Sequence, residues 1–374
     1  MIKQVGFKRL VRARTARTRE SYAAARSRLL PGGHPGAEPF GWMAEALHVS
    51  NGDATDVPGT GLARRVVYWR DILHEGPVPD VADAEELRRI RVDHLSAYEG
   101  VERDEAMRQF AERDRALADN RDGEYVLWFE ADLYDQLQIV EILARLARLG
   151  VPAERVTLIC IGEHAGIARF GGLGELSAEQ LRELPYTNAC ARLTPAALEL
   201  AARAWAAFRA PTPAGLGGIA AARLGELRFL GEAFDRLSRE YPATRDGLSL
   251  TERRVLAAVA GGASDAGTAF VRAGARETRP YMGDSTCFGR MERLAEGPHP
   301  LLRLDPPGRP VGPTTGVRLT ADGARVLAGE ADQIALNGID RWIGGVRLRG
   351  HQVAWRWDDG TEAIVGSQVT GAPG

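Results

Sequence analysis

The chain has 374 residues, 44% of them hydrophobic and 26% charged, with a formal net charge of −2. These values exclude a disordered or collagen-like chain and suit two or three globular domains of roughly 100–200 residues each. No apolar run approaches the roughly 20 residues that a membrane helix needs, so no membrane partner is expected.

The charge is unevenly spread. Residues 1–42 hold nine Lys or Arg against two Glu, a net of +7, which leaves −9 for residues 43–374. The basic segment has no sustained apolar face and ends in "PGGHPGAEPFG", which is linker chemistry. It reads as an arm for nucleic acid or membrane, as a targeting peptide, or as upstream sequence before a true start at Met43. The last is favoured, with 1–42 expected to be a disordered, dispensable extension. The acidic remainder argues against a general nucleic-acid binder. Cys160, Cys190 and Cys287 show no metal-ligand spacing. Their odd number, without a secretory signal, points to a reducing cytoplasm, where each is a small core residue.

In chain order, "ALHVS" (46–50) is a short apolar strand stopped by "NGD", and "RRVVYW" (64–69) is a second. The span 83–119 is helical and heavily charged, broken at Gly100, with Leu87, Ile90 and Leu95 at approximate helical spacing. "YVLWF" (125–129) is a third strand. It leads into a helix with Leu133, Leu137, Val140 and Ala144 on one face, stopped by Gly150 and Pro152. "VTLICIG" (156–162) lacks alternation, as expected of a strand buried on both faces in a parallel sheet. Strands alternating with helices predict an α/β, Rossmann-like domain over 43–175. A helical connector is expected over 176–247, with a capping box at Ser177 and Gln180 and a Thr194-Pro195 helix start. Its last helix is expected to end at Pro242. Three helices, a hairpin and a closing helix make a winged-helix-like domain over 248–350, followed by a terminal hairpin and tail (351–374) turned at Asp359-Gly360.

In open parallel sheets, ligands sit at the carboxyl ends of the strands. After the first strand come Asn51, Gly52 and Asp53; after the second, Arg70, Asp71, His74 and Glu75 of "WRDILHEGP". After the third come Glu130, Asp132, Asp135 and Gln136, and after the fourth Gly162, Glu163 and His164. Four polar strand ends at one sheet edge predict one crevice. His74 is the candidate general acid or base, oriented by Asp71 or Glu75, with Glu130 as a further catalytic carboxylate. Asn51, Gly52, Asp53, Arg70, Asp132, Gln136 and Glu163 are the candidate substrate contacts, Arg70 as anion clamp. Each motif has a plainer reading. "NGD" also makes an ordinary turn, and "RDILHE" a surface loop with Arg70–Asp71 or Arg70–Glu75 ion pairs. The carboxylates of "EADLYD" also suit a helix N-terminus. Oxygen ligands of that kind would suit a hard cation such as Mg²⁺, though no spacing specifies a metal or any cofactor. As loop residues, Asp71 and His74 are expected to be replaceable within about 1 kcal/mol of stability. "LNGIDRW" (336–342) either caps the crevice or knits domains together.

"LHVSNGD", "VVYWRDILHEGPVP", "LWFEADLYDQLQ" and "LICIGE" resemble the bacterial domain-of-unknown-function family numbered 1835. "GLSLTERRVL", "MGDST" and "LNGIDRWIGGVRL" resemble the segment that usually follows it. The resemblance covers residues 46–350 and implies no activity, cofactor or partner. Where "GGVHL" is expected the chain has Arg347, so no ring-nitrogen role carries over there.

Two functions are therefore expected to compete. One is an enzyme performing hydrolysis or group transfer on a small anionic or nucleotide-like substrate at the strand-end crevice. The other is a ligand-sensing regulator whose winged helix binds DNA. Nucleic acid is the less favoured partner, with 283–318 its only route, because the helix of "GDSTCFGRMERLAEG" is net −1.

Overall fold

The computed structural model describes residues 41–366 apart from residue 309, and the side chains of 98 and 99 are left aside. Most of the basic 1–42 segment therefore lies outside the described residues. The chain forms two compact units that do not follow chain order. Of the described residues, the first takes those up to Arg70, then Arg113–Glu130 and Arg145–Leu198. The second takes Asp71–Glu112, Ala131–Ala144 and the described residues from Glu199 onward.

The first unit holds a five-stranded sheet. Its strands are β1 (Leu47–Ser50), β2 (Arg65–Tyr68), β3 (Tyr125–Glu130), β4 (Val156–Ile161) and β5 (Cys190–Arg192), in the order β2-β1-β3-β4-β5. β1 pairs in parallel with β2 and β3, and β3 in parallel with β4. β5 closes the edge antiparallel to β4. This three-residue strand gives no periodic signal, and sequence reading missed it. β4 is buried along its whole length, as its unbroken apolar run requires. One core of this unit gathers Val126, Trp128, Ile159, Leu173 and Leu181 with Met43. Met43 is fully buried, and Trp42 packs on that core with Arg192 5.0 Å above its ring.

His48 on β1 shows how a buried polar group is settled here. The Trp128 indole N–H donates to its Nδ1 at 2.9 Å. Indole only donates, so Nδ1 is bare and Nε2–H donates to the Met43 carbonyl at 2.8 Å. Burial lowers the pKa of this ring, and it serves as a neutral core residue.

In the second unit, α1 (Ala84–Glu99) starts at an Asp83 cap and stops at Gly100, which takes φ +67°. α2 (Arg103–Asp119) and α3 (Leu133–Arg148) each pass between the units. α4 (Ala178–Glu183) belongs to the first unit and carries the capping box expected at Ser177. α5 (Pro195–Arg209), α6 (Leu216–Ala220) and α7 (Leu230–Ser238) follow. α7 ends short of the expected Pro242, its last carbonyls taken by a turn through Tyr241.

Next come α8 (Leu250–Ala260), α9 (Ala266–Gly274) and α10 (Asp284–Leu294), then the hairpin β6 (Leu302–Asp305) and β7 (Gly316–Leu319), then α11 (Ala321–Ala328). The order of elements is the one read from the sequence. They enclose a core of Val255, Leu256, Ala269, Met291, Leu302 and Val317. A short α12 (Gln333–Asn337) leads into β8 (Ile339–Ile343) and β9 (Val346–Gly350), and β10 (Trp355–Asp358) pairs with β11 (Ala363–Gly366). Among the described residues no helix is long and apolar enough to cross a membrane.

The Gly344-Gly345 turn of β8–β9 sits against the end of α5. A Cβ on Gly345 would lie 1.8 Å from the Arg209 carbonyl oxygen. Gly345 N–H donates to Phe208 O at 2.9 Å, and Gly344 O accepts from Val78 N–H at 2.9 Å. Gly345→Ala should therefore cost about 1–3 kcal/mol, the usual penalty of overpacking. Gly217→Ala, in α6 with nothing within 4 Å of a new Cβ, should stabilise by about 0.5–1 kcal/mol. Urea unfolding of the two variants checks the contrast.

Candidate functional site

The polar residues of the four strand ends are divided between the units. Asn51, Gly52, Asp53, Arg70, Glu130 and Glu163 lie in the first; Asp71, His74, Glu75, Asp132 and Gln136 lie in the second.

In the first unit, β1 ends in a buried Ser50 whose hydroxyl donates to Gly52 O at 3.2 Å, shaping the "NGD" turn. Asp53 leaves this turn exposed and pairs with Arg70 at 2.9 Å. Arg70 is 47% exposed at its side chain, with its guanidinium 5.2 Å from the Tyr68 ring centre. Arg70 thus takes Asp53, not the Asp71 or Glu75 of the plainer reading. Trp69, fully buried, has the guanidinium groups of Arg113 and Arg145 4.1 and 5.3 Å from its ring centre. Arg113 and Arg145 share Asp114. At the end of β3, Glu130 Oε1 accepts the Leu173 N–H at 2.6 Å. A Cβ on Gly172 would strike the Glu130 carboxylate at 2.6 Å, so the "GGLGEL" loop owes its glycine to this close approach. Glu163 is exposed.

In the second unit the loop residues are sequestered. Arg91 of α1, 2% exposed, holds the Asp71 carboxylate through Nη2 (2.7 Å) and Nε (3.1 Å). It also donates to the carbonyl oxygens of Ile72 (2.9 Å), Glu75 (2.8 Å) and Pro77 (3.2 Å). Gly76, at φ +74°, lets the loop turn against His94, whose ring a Cβ would meet at 2.3 Å. Glu75 turns inward to Arg290 of α10, with Arg293 3.9 Å away. Burial would raise the Glu75 pKa, but Arg290 and Arg293 hold it down at about 2. The two carboxylates expected to orient His74 are thus each held by an arginine.

His74 is buried with its ring 5.0 Å from Tyr281 and 6.0 Å from Tyr134, both edge-on. Neither ring nitrogen has a hydrogen-bond partner among the described residues. Burial lowers its pKa from 6.5 to about 4, against the Glu75 charge, with Arg290 adding to the fall. It is an uncharged imidazole at neutral pH. Asp132 caps α3, accepting Asp135 N–H at 3.0 Å. Burial raises it from 3.8 to about 6, against the bonds from the N–H groups of Asp135 and Tyr134. Gln136 is buried one turn into α3. Among the described residues no three His, Cys, Asp or Glu side chains form a group able to hold a metal ion. None of the three cysteines forms a disulfide, and burial raises Cys190 to about 11 and Cys287 to about 12.

Sequence reading missed Arg91 and Arg290 as partners of the loop. A signal existed for both. Arg91 lies between Leu87 and Leu95 at i+4 spacing, and Arg290 shares a face with Cys287, Met291 and Leu294. A cation on an apolar stripe implies a buried counter-charge. No protein-family model matches the chain, and no curated protein matches it.

Two outcomes follow for the second unit. Asp71→Asn leaves the Arg91 charge buried and should cost about 3–5 kcal/mol, not the 1 kcal/mol expected of a loop. Joint replacement by Asp71→Leu and Arg91→Met should not recover this, because three carbonyls lose their donor. Urea unfolding measures both. The second outcome concerns pH. Between pH 6.5 and about 4 the unfolded chain takes up the His74 proton and the folded chain does not. Stability contributed by His74 thus falls with pH through that window, by up to about 3 kcal/mol. Asp132 acts oppositely between about pH 6 and 3.8, where the folded form holds the proton. His74→Gln should flatten the stability profile on acidification and Asp132→Asn should steepen it. Profiles unchanged by either substitution would contradict these environments.

Proposed function

We propose that the protein is an enzyme acting on a small anionic or nucleotide-like substrate, by hydrolysis or group transfer, held at the carboxyl edge of the parallel sheet. One observation carries this reading. The chain runs from β1 to β2 on one side, while β3 lies on the other, so β1 and β3 flank the topological switch point of the sheet. Ligands of open α/β sheets bind outside the carboxyl ends of the strands at such a point. The residues delivered to that edge are the "NGD" turn and Glu130, with Arg70 following β2. The Asp53–Arg70 pair is exposed on both sides, so its guanidinium can exchange Asp53 for an incoming phosphate or carboxylate at little cost. Glu130, fixed by a backbone N–H, is the carboxylate suited to proton transfer there. The resemblance to the family numbered 1835 is part of this proposal and adds no chemistry to it.

A regulator with a DNA-binding winged helix is the second reading, and one observation favours it. Arg303 and Arg318 are exposed and face each other across the β6–β7 hairpin, a like-charged pair that an anion would relieve. Against it, Arg290 of α10 is buried in ion pairs and offers no charge to a phosphate backbone.

Thermal shift against nucleotides and phosphorylated metabolites, with and without Mg²⁺, tests the enzyme reading. A nucleotide-like anion should raise Tm, and Arg70→Ala should weaken its binding about tenfold or more. Glu130→Gln should keep binding and lose turnover. If no anion's effect depends on Arg70, the sheet-edge proposal fails. A duplex whose binding is lost in the joint Arg303→Glu and Arg318→Glu variant would favour the regulator.

A further inference from the structure

The motif "LNGIDRW" lines a cleft of about 470 Å³ in the second unit, walled by the end of α10, by α12 and by β8–β9. That volume is in the range of small-molecule sites. Three arginines open onto it. Their side chains are 12% (Arg341), 34% (Arg293) and 72% (Arg349) exposed. Three acids also line the cleft. Glu252 is committed to Arg341 and to the cap of α8. Asp340 is committed to Arg347, which grips it with two bonds of 2.8 and 2.9 Å, leaving Arg349 at 3.8 Å. Glu296 is exposed.

A chain of ion pairs, mostly buried, reaches the cleft at Arg293: Arg254–Glu277–Arg236–Glu240–Arg290–Glu75–Arg293. It sets four guanidinium groups on three carboxylates. The Arg341–Glu252 pair beside it is neutral. Arg293 is the most exposed member of that chain, and it ends at the cleft. Burial and the neighbouring Arg290 and Arg293 lower the Arg341 pKa, with Glu252 opposing.

We propose that this cleft is a binding site for a small molecule bearing a carboxylate or phosphate group, gripped by Arg293, Arg341 and Arg349. Planar guanidinium groups match both anions with paired hydrogen bonds. A metabolite-sized ligand fits the volume of about 470 Å³, which is too small for a nucleic-acid duplex. This site is additional to the sheet edge proposed above and depends on none of its residues.

The experiment uses the full chain and three probes: inorganic phosphate, pyrophosphate and citrate, each against chloride at matched ionic strength, read by calorimetric titration and thermal shift. At least one should bind saturably. Phosphate or pyrophosphate alone, or citrate alone, would support the proposal and name the source of the anion. Arg349→Glu, at an exposed position, and Arg293→Gln should each weaken that binding about tenfold or more, while Arg70→Ala leaves it unchanged. Should Arg293→Gln not fold, Arg349→Glu still decides. No binding above chloride, or binding indifferent to Arg349→Glu, would overturn the proposal. Binding lost in Arg70→Ala but kept in Arg349→Glu would overturn it too, and would support the sheet edge instead.

Discussion

The guanidinium of Arg91 is the constraint on which the second unit's site region depends. The segment 71–77 has no ladder to join, and its carbonyl groups would be unsatisfied if simply buried. One planar cation with five donors takes three of those carbonyls and the Asp71 carboxylate together. The loop is thereby fixed without secondary structure. Because it is fixed, Glu75 is held against Arg290 and His74 against Tyr281. A lysine could not replace Arg91, since a point charge with three donors cannot span a carboxylate and three divergent oxygens.

A buried ion pair is weak evidence for stability, because desolvation offsets most of the attraction. What the arginine network supplies is placement. Glu75, Glu240 and Glu252 are each kept ionised in the interior by guanidinium groups, against the effect of burial. The positions of α7, α8, α10 and β8 are tied to one another through them, since each of these elements contributes a charged member. An apolar core would fill the same space but would tolerate sliding and repacking.

The same short stretch of chain contains two kinds of polar residue. Arg70 remains half exposed and paired to an exposed acid, a contact that water and ligands can contest. Asp71, one residue later, is buried with a buried arginine, and no ligand can contest it without opening the unit. Residue type alone does not separate these roles. The separation comes from where folding turns each side chain, Arg70 outward against Asp53 and Asp71 inward against Arg91.

Much of the fold was legible because its signals are local. The apolar run "VTLICI" buries both faces and so becomes an inner parallel strand, the break at Gly100 needs a positive φ, and the Ser177 capping box closes over three residues. The polar strand ends were legible too, since each follows directly on an apolar run. What only the tertiary structure decided is which charges meet. Arg91 lies 20 residues from Asp71, and Arg290 lies 215 from Glu75. Periodicity marks both arginines as facing inward, but a buried cation accepts any carboxylate that folding brings to it. Charge is a property of the residue and can be read from the sequence; the partner that compensates it is a property of the packing, and only the folded chain selects it.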